Sequence, residues 1–181
     1  YQQQNNFDKT VESGEKLLTA DPKDLPSLLT LASILPERLP ADEAKKTEQL
    51  EKAQGFAQRA LTEINALQKP PGSTMTDEQW TNEKNKLLAS VYSSMGLIFL
   101  NKKDYIKSVE QYSLATNLIR TNPIDFYRLG IAYTFLARNI AKELNELVAN
   151  INQLQTEIQS VSDAAVKDEK EKNKDENKIK L

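Results

Sequence analysis

With 181 residues, 28% of them charged, and a formal net charge of −2, the chain has the length of one domain or a short repeat array. It shows no excess of Lys and Arg for neutralising phosphates, which argues against nucleic acid as a partner. Cysteine and histidine are both absent, removing disulfides, thiolate and imidazole metal sites and His-activated nucleophiles together, so neither an enzyme nor a bound cofactor or metal is expected.

Only five glycines accompany abundant Ala, Leu, Lys, Glu, Gln and Asn, a composition that favours helix over sheet. The expected fold class is all-α. No apolar run approaches the roughly 20 residues of a membrane span, and no charged start leads into an apolar stretch.

In chain order, the first expected helix lies in NNFDKTVESGEKLLTADP (5–22) and stops at Pro22. The second, LPSLLTLASIL (25–35), places Leu28, Leu31, Ala32 and Leu35 on one face, at the helical spacings of three and four. PERLPADE (36–43) reads as a proline-punctuated loop. A long helix near 43–67 follows, with Ala53, Ala57, Ala60 and Ile64 as its inward stripe. KPPGSTM (69–75) breaks the pattern. Thr76 then restarts a helix with Gln79 three residues on, the spacing of a capping box. Trp80 in its first turn is expected to bury against the neighbouring loop.

The most informative stretch is SMGLIFLNKKDYIKSVEQYSLA (94–115). Tyr92, Met95, Gly96 and Phe99 share one helix face, and its glycine admits a close neighbour at a cost of roughly 1 kcal/mol in propensity. NKKD (101–104) is a short polar turn with Asp104 placed to cap a new helix, on which Tyr105, Ser108, Tyr112 and Ala115 share a face. The stretch therefore encodes an antiparallel helical hairpin. The same face recurs 34 residues later, where Phe126, Leu129, Gly130 and Tyr133 match Tyr92, Met95, Gly96 and Phe99.

Past residue 133 no polar turn follows. TFLARNIAKEL (134–144) lacks Gly and Pro, and a stripe of Ile140, Leu144, Leu147, Ile151, Leu154, Ile158 and Val161 begins, spaced alternately four and three. This is coiled-coil periodicity over about three heptads. Two roles are open for it: a cap packed on the preceding helices, or an association surface for a second copy or a partner helix. Residues 167–181 form a charged tail, expected to be a solvated helix end or disordered.

The 34-residue period, Gly96 followed twelve residues on by small Ser108, then Tyr112, Ala115 and a downstream Pro123, together resemble the tetratricopeptide repeat family. Pro123 comes a few residues later than the family spacing. The resemblance implies an antiparallel helical-hairpin solenoid of about three repeats over 1–139, with insertions near 36–52 and 68–88. A long C-terminal helix at 140–166 would close it. In that frame 5–22 is the second helix of a repeat, with Phe7, Thr10, Gly14 and Leu17 matching Tyr105, Ser108, Tyr112 and Ala115. Tyr1 then matches Phe99, so the chain is expected to begin in mid-repeat, as a fragment. The lack of a leader thus leaves the compartment open.

What the resemblance implies for function is protein–protein interaction without catalysis. First helices of successive repeats would line a groove for an extended peptide or a partner helix. Off the packing stripe, the groove positions here are Ser93, Leu97, Asn101, Tyr127, Arg128, Ile131 and Thr134. Ser93 and Leu97 stand where the family's two-carboxylate clamp wants Lys and Asn, which argues against an acidic C-terminal tail as ligand. The rival readings are self-association through 140–161 and an accessory domain of a larger enzyme. The carboxylate pairs Glu37 with Asp42 and Asp77 with Glu78 fall in loops or at helix starts, where the helix dipole favours acids. No phosphate loop, EF-hand or nucleophile elbow is present.

Overall fold

The computed structural model describes residues 2–179, and side chains at 6–167 and 170. Every regular element among them is helical: α1 (Gln2–Ala20), α2 (Leu25–Ile34), α3 (Glu43–Ala66), α4 (Asp77–Asn101), α5 (Tyr105–Leu118) and α6 (Pro123–Ile179), with one 3₁₀ turn at Leu35–Glu37. The match expected for Tyr1 lies outside the described residues. The chain divides into two units, one ending at Leu136 and the other beginning at Ala137.

Local chemistry accounts for most of the boundaries. Asp24, Asp42 and Asp104 each accept a hydrogen bond from a backbone N–H in the first turn of α2, α3 and α5, satisfying donors a helix start leaves unpaired. Thr76 and Gln79 form both halves of a capping box at the start of α4. At the start of α6 a single bond serves, Asn122 Oδ1 accepting from the Ile124 N–H (3.1 Å) ahead of Pro123 at the first helical position. Between α4 and α5, Asp104 N–H bonds Phe99 O and Lys103 N–H bonds Leu100 O (both 3.0 Å), with Lys103 at φ 62°. This is a Schellman turn with lysine in the left-handed position where glycine is usual.

The core of the first unit lies between α2, α3 and α4. Leu28, Leu31, Ala32 and Leu35 pack with Ala53, Ala57, Ala60, Ile64, Val91, Met95, Ile98 and Phe99, all buried. Alanine on three successive α3 turns lets its neighbours approach, and burial of the larger chains contributes about 1.5–3 kcal/mol each. Trp80 is partly buried.

The hairpin of α4 and α5 closes on Gly96. A Cβ placed there would lie 2.7 Å from Cδ1 of Tyr112, whose ring occupies the space a side chain would need. Ser108 Oγ donates to Gly96 O at 2.9 Å from the facing helix. Gly96 meeting Ser108 and Tyr112 on the helix that follows a three-residue turn fixes α4 and α5 as antiparallel neighbours.

Gly130 behaves differently. Nothing lies within 4 Å of where its Cβ would be, and Tyr133 is 52% exposed where its counterpart Phe99 is 7%. The reason is the helix that follows. With no Gly, Pro or polar turn after residue 133, α6 runs on without a break and no second helix folds back onto this face. The boundary read at residues 139 and 140 therefore falls inside a helix. That helix continues through the charged tail to Ile179, although side chains 168–169 and 171–181 lie outside the described residues.

Candidate binding surface

One pocket of about 280 Å³ opens in the first unit, with walls from α2, α4, the α5–α6 connection and the first turns of α6. Ser93 and Leu97 face it from α4, Arg128 from α6, and Glu37 from the 3₁₀ turn. Small Ser33, Ser90 and Ala89 on the walls leave the space open.

Its floor is polar and tightly held. Asp125, in the first turn of α6, is 2% exposed. Its carboxylate accepts from Ser93 Oγ (2.5 Å) and from Asn122 Nδ2 (2.7 Å). The burial is tolerable because both oxygens are partnered and the carboxylate sits at a helix N-terminus, where the dipole favours negative charge. Arg128, one turn on, donates from its Nη2 to Glu37 Oε1 at 2.6 Å, linking residues 91 apart in sequence. Burial opposes the charge on Arg128, but the hydrogen bond and charge of Glu37 outweigh it and hold the guanidinium above its ordinary pKa. Arg128 and Asp125 thus lie about one turn apart on α6, each held by partners from outside its own turn or at its start.

Tyr112 lies beneath this cluster. Its ring fills the Gly96 notch, and its buried hydroxyl has no hydrogen-bond partner of ordinary geometry although Arg128, Asp125 and Glu37 are all near enough to act on its charge. Burial pushes the phenol well above its usual pKa, with Arg128 opposing and the two carboxylates reinforcing the shift.

Of the groove positions read from sequence, Ser93, Leu97 and Arg128 come together in the pocket. The other four do not join them. Asn101 instead donates to Pro36 O (2.9 Å), tying the end of α4 to the 3₁₀ turn. Tyr127 is 71% exposed on the outer side of α6, Ile131 is partly buried, and exposed Thr134 donates to Gly130 O in its own helix. The sequence reading passed over Asp125, Asn122 and the pairing of Glu37. Asn-Pro-Ile-Asp at 122–125 carries a signal for the helix start, Asn before Pro with an acid in the first turn, but not for the burial of that acid.

The stripe from Ile140 to Val161 lies wholly in the second unit. Its seven side chains are exposed, from 45% at Ile151 to 69% at Ile158 and Val161. No described helix is long and apolar enough to cross a membrane.

No protein-family model, curated protein or solved structure matches the chain.

Proposed function

We propose that the first unit is a run of tetratricopeptide-like helical repeats that binds an extended peptide or a helix of a partner protein, without catalysis. The observation that carries this reading is the pocket where α2, α4 and the start of α6 meet, lined by Ser93, Leu97 and Arg128 above a buried, fully partnered Asp125. Helices α2 and α4 are the first members of successive pairs in this reading, so a groove between first helices is where a repeat array would hold its ligand. The Gly96–Tyr112 contact and the Ser108 bond to Gly96 O support it, because they give the small-residue positions of the 34-residue pattern a packing purpose. Glu37 and Arg128 offer a peptide one acceptor and one donor side by side, while Leu97 offers apolar contact. Such a mixture suits the main chain and one side chain of a segment better than a strongly charged ligand.

The test starts from a displayed library of random peptides selected on the immobilised chain. Titration of the best binder against Arg128→Ala should show affinity weakened about tenfold or more, the loss typical of an interface anchor. Tyr127→Ala should weaken it less, since that ring stands outside the pocket. Unchanged affinity in both variants, with melting temperatures near that of the parent, would falsify the groove reading.

A further inference from the structure

The stripe in the second unit has a geometry of its own, independent of the groove. Among its described residues that unit is a single helix, with no second element of its own against which to bury an apolar face. Alternating spacings of four and three are those of a heptad, which puts Leu144, Ile151 and Ile158 at position a and Ile140, Leu147, Leu154 and Val161 at position d.

This assignment makes the face self-complementary. Two copies lying parallel and in register bring each a residue against its twin and each d residue against its twin. The central heptad carries Ile151 at a and Leu154 at d, the combination that favours two parallel strands over three or four, between Leu144 with Leu147 on one side and Ile158 with Val161 on the other. The flanking positions agree with that orientation. Each g residue would face the e residue of the next heptad in the other copy: Glu143 meets Val148, Asn150 meets Gln155, and Glu157 meets Ser162. No like charges oppose one another, and one of the three pairs is an amide–amide contact able to hydrogen-bond.

Area points the same way. Each of the seven stripe residues exposes on the order of 100 Å², so two copies would remove roughly 1,400 Å² from water, within the range of about 1,200–2,000 Å² found for specific stable interfaces. We infer that residues 140–161 pair with the same residues of a second copy as a parallel two-stranded coiled coil.

The experiment uses the whole chain. Sedimentation equilibrium over a wide concentration range should show the molar mass rise from 20.5 kDa to twice that value. Leu147→Asp combined with Leu154→Asp should stay at the mass of one chain, with the unfolding of the first unit unchanged. Orientation is read separately, exploiting the absence of cysteine. A Val161→Cys chain should be joined to itself by a short thiol crosslinker, since parallel pairing brings the two thiols together. Three results would overturn the inference. One is a parent that stays monomeric while the double variant melts early, which would make the stripe an internal cover. Another is a mass of three or more chains. The last is crosslinking only when Val161→Cys is mixed with Ile140→Cys, which would make the pair antiparallel.

Discussion

Two glycines at matching places in the 34-residue pattern have opposite surroundings, and substitution should separate them. At Gly96 a methyl group would enter the Tyr112 ring at 2.7 Å. A fully buried aromatic ring gives way poorly, so Gly96→Ala should destabilise by about 1–3 kcal/mol, the usual cost of overpacking. At Gly130 the added methyl meets nothing within 4 Å. Here only helix propensity counts, and Gly130→Ala should stabilise by about 0.5–1 kcal/mol. Urea unfolding of both variants decides the matter. Equal effects of either sign would mean that Tyr112 does not rest on Gly96, and that the hairpin closes by some other contact.

At the scale of single elements, the turn between α4 and α5 holds a lysine where the backbone favours glycine. Lys103 at φ 62° bears the cost a Cβ imposes in the left-handed region, roughly 1–2 kcal/mol. Lys103→Gly should relieve that strain, offset partly by the entropy glycine loses on folding, and raise stability by up to about 1 kcal/mol. A lower melting temperature would show that the lysine side chain makes a contact worth more than the strain. Elements such as this were the most legible in the sequence. The Thr76–Gln79 capping box, the Asp104 cap and the alanine stripe of α3 each depend on residues within a turn or two of one another, and local spacing suffices to find them. The site was legible only in part. Helix-face arithmetic picks out Ser93, Leu97 and Arg128, but the pairing of Arg128 with Glu37 spans 91 residues and no local pattern encodes it. The bare face at Gly130 was hidden for a related reason. The matching face signals a neighbour, while only the missing turn after residue 133 says that none comes.

Across the whole molecule, the lack of histidine leaves no side chain with an ordinary pKa between the carboxylates and the alkaline groups. Stability should therefore be flat from about pH 5 to about pH 9. It should then fall on both sides. Burial raises Asp104, but the Lys107 hydrogen bonds and charge outweigh it and leave its pKa below 3.8, so the stability it contributes is present above that value and is lost as pH falls through the folded one. Tyr112 works at the other end. Its folded pKa is raised by burial, so the unfolded chain releases the proton first, and stability is complete below about pH 10 and lost as pH rises beyond it. Tyr112→Phe should flatten that alkaline limb at little cost near neutrality, since the hydroxyl it removes makes no hydrogen bond of ordinary geometry. Persistence of the full limb in Tyr112→Phe would assign it to other groups. The exposed stripe at 140–161 has one more consequence, which concerns counting rather than strength. Two chains joined there carry two pockets on one assembly. A second engagement then proceeds at an effective concentration of about a millimolar, so an assembly that grips a single segment weakly would hold fast to anything displaying that segment twice. Selection would fall on the valency of the target as much as on its sequence.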